Sequence, residues 1–114
     1  MRDRRRPIYM IRVVSEMLNV HPQTLRLYER EGLVVPKRLN RFRYYSDEDV
    51  ERLHLILRLT RELGVNKAGV DIILRLRNRL ASLQELVEEM MLYLDEDLRF
   101  RFRERLKRLL MEEE

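Results

Sequence analysis

The sequence predicts a mainly α protein: a winged helix-turn-helix followed by a long coiled-coil dimerisation helix. Three observations carry that expectation. Two short amphipathic stretches, the second opening at Pro22, are separated by a tight turn at Asn19. A cationic, strand-prone segment from Val34 to Ser46 follows them. Beyond Leu76 the apolar positions narrow to a heptad seam.

The first seven residues, MRDRRRP, form a basic arm read as a mobile tail. "IYMI" fits either a very short strand or the lead-in to a helix. Ile11, Val14, Met17 and Leu18 recur at helical spacing and predict a first helix over about Arg12–Leu18. Asn19 tolerates a left-handed backbone and ends it. In the second helix Pro22 suits the first position, where its missing N–H costs nothing, and His21 becomes the N-cap. Leu25 and Tyr28 face inward, and Leu33 packs after a turn at Gly32. The outward face carries Gln23, Thr24, Arg26 and Arg30.

Val35, Phe42, Tyr44 and Tyr45 are strand formers, with a tight loop at Leu39-Asn40-Arg41. A hairpin bearing Lys37, Arg38, Arg41 and Arg43 is a poor core element, but beside a helix-turn-helix it reads as a wing. Ser46 and the acids Asp47, Glu48 and Asp49 start the next helix; Glu48 and Asp49 flank the place of a capping-box carboxylate. Val50, Leu53, Ile56 and Leu57 keep helical period to about Glu62, and Gly64 closes the turn. Asn66 caps a further short helix, Lys67 to about Leu76, with Val70, Ile73 and Leu74 inward. Leu76, Leu80, Leu83, Val87, Met90 and Leu94 then form the seam, which calls for a second copy in a two-fold dimer. At Asp95 a last helix begins, with a stripe of Leu98, Phe102, Leu106, Leu109 and Leu110; a strand over Leu98–Arg103 is the less favoured reading.

Composition bounds the chemistry. A chain of 114 residues suits one domain with an extension, and 39% charged residues imply a strongly charged exterior. No apolar run is long enough to span a bilayer, and no apolar region follows the basic start, so a soluble cytoplasmic, nucleoid-associated protein is expected. With zero cysteines and two histidines, His21 and His54, thiolate chemistry and a structural metal site are not expected. No nucleophile–base pair or phosphate loop stands out, so neither an enzyme nor a cofactor is expected. Residues 1–46 carry 11 Lys and Arg against 4 acids, a net of +7, whereas residues 47–114 carry 13 against 16, a net of −3. A basic end joined to an acidic remainder suggests one polyanion-binding part.

Together these features suit double-stranded DNA. The second helix fits a major groove, with Gln23 and Thr24 in its first turn and Arg26 and Arg30 on one face. The wing follows the backbone with Arg41 and Arg43, and a dimer presents two half-sites to an inverted repeat. The other reading is a non-regulatory architectural or adaptor protein on the same fold.

The ordered segments "HPQTLRLYEREGLVVPKR", "NRFRYYSDEDVERL" and "ELGVNKAGVDIIL" resemble the DNA-binding domain of MerR-type transcription regulators over about Ile8 to Leu76. His21–Arg26 and Gly64–Gly69 resemble most closely the heat-shock repressor branch of that family, HspR. The chain is thus expected to divide into a basic arm at 1–7, a DNA-binding domain at 8–76, where the resemblance lies, and a helical dimerisation and C-terminal segment at 77–114. The resemblance implies DNA contacts at Thr24, Arg26, Tyr28, Arg38, Asn40, Arg41, Arg43 and Tyr45. It also implies a homodimer with an antiparallel coiled coil, an inverted-repeat operator near chaperone genes, and the DnaK chaperone as a co-repressor in some members. Leu27 stands where many relatives have tyrosine, and Asn40-Arg41 where they have Asn-Gly, in a loop that looks one residue short.

Overall fold

The computed structural model describes residues 3–111; Met1 and Arg2 of the basic arm lie outside them. The described part of the arm is not free. Arg4 pairs with Glu51 at 2.5 Å and its carbonyl accepts from the Glu48 N–H at 3.1 Å, which ties the arm to the third helix. Strand β1 (Tyr9–Met10) runs straight into helix α1 (Ile11–Leu18), so both readings of "IYMI" hold in part. Asn19 ends α1 at φ 52°. Val14 is fully buried, whereas Met17, which shares its helical spacing, is half exposed.

Helix α2 (Pro22–Arg30) has the predicted cap: His21 Nδ1 accepts from the Gln23 N–H at 3.0 Å. Gly32, at φ 75°, turns the chain so that Leu33 buries beside Leu25 and Tyr28 in the core. Arg52 Nε then donates to the Leu33 carbonyl at 2.6 Å and holds that turn.

The wing is made of β2 (Lys37–Leu39) and β3 (Phe42–Tyr45), with β1 on the far side of β3 in an antiparallel sheet ordered β1-β3-β2. The register pairs Lys37 with Tyr44, Arg38 with Arg43 and Leu39 with Phe42. Only Asn40 and Arg41 remain for the loop, at φ 52° and 81°. Two successive left-handed residues mark a type I′ hairpin turn, whose twist matches that of the strands. The loop that looks short is thus a closed two-residue turn. Val35 lies outside the strands and is exposed; Pro36, which follows it, has no N–H to give a ladder.

Helix α3 (Asp47–Leu57) opens on a complete capping box, in which Asp49 N–H reaches Ser46 Oγ at 3.1 Å and Ser46 N–H reaches Asp49 Oδ2 at 2.9 Å. The capping carboxylate is thus Asp49 itself. The helix widens into a π turn, Arg58–Glu62, where the Leu63 N–H bonds the Arg58 carbonyl at 3.1 Å. Gly64, at φ 66°, ends it. Val14, Leu25, Tyr45, Leu53, Ile56 and Val70 are fully buried and form the core of the first unit.

Asn66 Oδ1 accepts from the Gly69 N–H at 2.9 Å and starts α4 (Lys67–Met91). This is one helix of 25 residues, not a short helix followed by a second one. The change from a broad to a narrow apolar face reflects what the helix packs against, and no proline or glycine interrupts it after Gly69. Leu94 lies beyond its end, in a turn. Helix α5 (Glu96–Met111) starts where Asp95 Oδ1 accepts from the Leu98 N–H at 2.9 Å, so the helical reading of "LRFRFR" holds. The chain divides into two compact units between Asp71 and Ile72.

Candidate nucleic-acid interface

The wing and α2 share the first unit, and strand periodicity sorts their side chains. In β3, Arg43 and Tyr45 point to one face, and Arg38 joins them from directly across the ladder. That face meets α2. Lys37, Leu39, Phe42 and Tyr44 lie on the other face of the hairpin.

Arg38 and Arg43 stand opposite each other, and directly opposed like charges destabilise a sheet. Glu29 of α2 relieves this. Its carboxylate accepts from Arg38 Nη2 at 2.9 Å and, through the other oxygen, from Arg43 Nε. Burial raises the Glu29 carboxyl, but hydrogen bonds and charge from Arg43 and Arg38 outweigh it and hold the group below its ordinary value. The side chains of Glu29 and Arg43 are only 18% and 21% exposed, against 54% for Arg38. Glu29 is therefore the link between helix and wing.

The expected site residues divide into three sets. Gln23 and Arg30 on α2, and Lys37, Asn40 and Arg41 on the wing, are exposed, while Thr24 and Arg26 are half-buried. Among the described residues, Arg26, Arg30, Lys37 and Arg41 pair with no carboxylate, which leaves four cations for an outside anion. Arg38 and Arg43 belong to the Glu29 clamp. Tyr28 and Tyr45 lie in the core. Tyr28 is 8% exposed, and its hydroxyl sits 3.5 Å from Thr60 Oγ1. Tyr45 is 0% exposed, because β3 turns it with Arg43 toward α2, and its hydroxyl has no hydrogen-bond partner among the described residues. Burial, assisted by the Glu29 carboxylate, pushes the Tyr45 phenol up to about 12. In this arrangement neither tyrosine presents a free hydroxyl at the surface for the DNA contact that the resemblance implies.

In the second unit, Leu76, Leu80, Leu83 and Met90 of the seam are exposed along α4. Val87, Met90 and Leu94 also line an apolar groove of about 420 Å³ with Phe102, Leu106 and Leu109 of α5. The two helices are joined by Arg103–Glu88 at 3.1 Å and by Arg99, which donates to the carbonyls of Met91 and Leu94. No group of His, Asp and Glu among the described residues is arranged to hold a metal ion, and no helix among them is long and apolar enough to cross a membrane.

Residues 9–77 match the family described as MerR HTH family regulatory protein. The chain is 42% identical over 90 residues to a heat shock protein, HspR, of Streptomyces coelicolor, covering 78% of this chain and 60% of that one. It is 36% identical over 73 residues to the mercuric resistance operon regulatory protein of Bacillus cereus, covering 62% of this chain and 54% of the relative. The chain thus spans less than two thirds of the length of either relative. The matched region contains α1, α2, the wing, α3 and the start of α4. On that match and on the winged helix-turn-helix it covers, the chain belongs to the MerR helix-turn-helix family of regulatory proteins.

Proposed function

We propose that the chain is a dimeric, sequence-specific DNA-binding transcription regulator that represses heat-shock and chaperone genes. The observation that carries this is the set of exposed groups on one helix–wing unit. Gln23 and Arg30 on α2, with Lys37, Asn40 and Arg41 on the wing, are uncovered on elements that Glu29 joins. Helix α2 lies in the major groove, where Gln23 and Thr24 are placed to read base edges, and Arg26 and Arg30 anchor it. The wing tip follows the phosphates with Lys37 and Arg41. The uncovered stripe of Leu76, Leu80 and Leu83, continued by Val87, Met90 and Leu94, packs against a second copy, and two-fold symmetry matches an inverted-repeat operator.

The heat-shock reading rests on the HspR relative and on the HPQTLR and GVN segments, Asn66 included. A DnaK-type chaperone is the co-repressor that this resemblance implies, and the site of action is the cytoplasmic nucleoid. The mercury-linked name of the second relative does not extend to these residues. Mercury is a soft metal that favours thiolates, and the sequence has no cysteine. Genome-wide occupancy before and after heat shock, with footprinting of the strongest sites, tests the proposal. Inverted repeats beside chaperone genes, released on heating, are expected; occupancy without regard to sequence would point to an architectural role instead.

A further inference from the structure

We infer that Glu29 is a specificity-determining positioning residue, which holds Arg43, and partly Arg38, as struts between helix and wing and so keeps them off phosphate. The inference rests on the DNA-binding reading above.

The two arginines face each other across β2 and β3, and a single carboxylate on α2 receives a hydrogen bond from each. Arg43 is mostly buried in that contact, whereas Arg41, two residues earlier, stands exposed at the tip. The two cations thus have different work. An arginine free at the surface adds phosphate affinity that carries no base information. One tied to the recognition helix adds no such affinity, but it fixes the distance between base-reading residues and the wing. Specificity is a difference between two affinities, and a device that lowers non-specific binding while preserving geometry widens it. Glu29 does both. It places a negative charge where the competitor is a polyanion, and it spends two cations on position.

Glu29→Gln keeps the size of the side chain and removes its charge. Its binding is to be measured, beside wild type, on the best footprinted duplex and on a random duplex of equal length, over a range of salt. We expect operator affinity to fall about tenfold, random-duplex affinity to rise several-fold, and the salt slope on random DNA to steepen by about one to two. In the wild-type background, Arg41→Ala should flatten the operator salt slope by about one, and Arg43→Ala should leave it unchanged. The Arg43→Ala slope stands even if Glu29→Gln is poorly folded by circular dichroism. Equal weakening of Glu29→Gln on both duplexes with an unaltered slope would leave Glu29 a fold-stabilising residue only and overturn the inference. So would an Arg43→Ala slope flattened as much as that of Arg41→Ala. A wild-type chain that binds neither duplex would instead remove the DNA-binding reading, and the inference with it.

Discussion

Tyr45 shows how a strand's two-residue period overrides a residue's chemical promise. The family resemblance implies a DNA contact at Tyr45, yet β3 sends Arg43 and Tyr45 to the same inner face. Whether that face is inner depends on where α2 lies, which no local pattern states. The buried hydroxyl lacks a partner among the described residues, a situation that costs about 1–3 kcal/mol. Tyr45→Phe should therefore be neutral or stabilising by about 1 kcal/mol in denaturant titration, and DNA affinity should be unchanged. Loss of affinity in that variant would return the hydroxyl to the interface. The phenol is raised from 10.0 to about 12, so the neutral form is favoured by folding. Its contribution is complete below pH 10 and is lost as pH rises toward 12. An ultraviolet titration should show a late-ionising phenol that is lost in Tyr45→Phe. Glu29 has the opposite sign: its lowered carboxyl stabilises the clamp above the ordinary value of 4.5 and loses that contribution as pH falls through its folded value.

Elements whose signals are local were legible in advance. Caps and turns join a side chain to backbone a few residues away, and His21, Ser46, Asn66 and Asp95 each cap as their position suggests. The Glu29 clamp is not legible in the sequence, although part of its signal is there. A two-residue turn at Asn40-Arg41 forces Arg38 opposite Arg43, and such a pair needs a counter-charge. Which acid supplies it is a matter of tertiary placement. The length of α4 is hidden in the sequence for a related reason: its apolar face narrows along the helix, and a change of surroundings resembles a change of element. The hairpin tip carries the sharpest local strain. Arg41 holds φ 81°, a region that costs an L-residue roughly 1–2 kcal/mol. Arg41→Gly should stabilise the protein by up to about 1 kcal/mol, after the greater unfolded freedom of glycine is set against the relief. The same change should weaken DNA binding and flatten its salt dependence by about one unit. A destabilised Arg41→Gly protein would contradict the type I′ turn.

At the scale of the molecule, a charged winged unit is joined through α4 to a helical hairpin that leaves much of its apolar surface uncovered. A 25-residue helix is about 37 Å long, and the stripe of Leu76, Leu80 and Leu83 along it is left about half exposed. A second copy is the simplest cover. Replacing Leu83 and Val87 together with Asp should give a monomer in sedimentation and lower the affinity for a two-half-site duplex to about that of a single half-site. A stable dimer in that variant would remove the seam.

In the proposed function this helix–wing unit reads sequence as a two-fold dimer. The most direct measurement is equilibrium competition: the full chain bound to a duplex carrying its footprinted inverted repeat, displaced by that duplex or by random DNA at fixed salt. Displacement by the repeat at concentrations about a thousandfold or more below those needed with random DNA is the predicted result; equal displacement by both would contradict it.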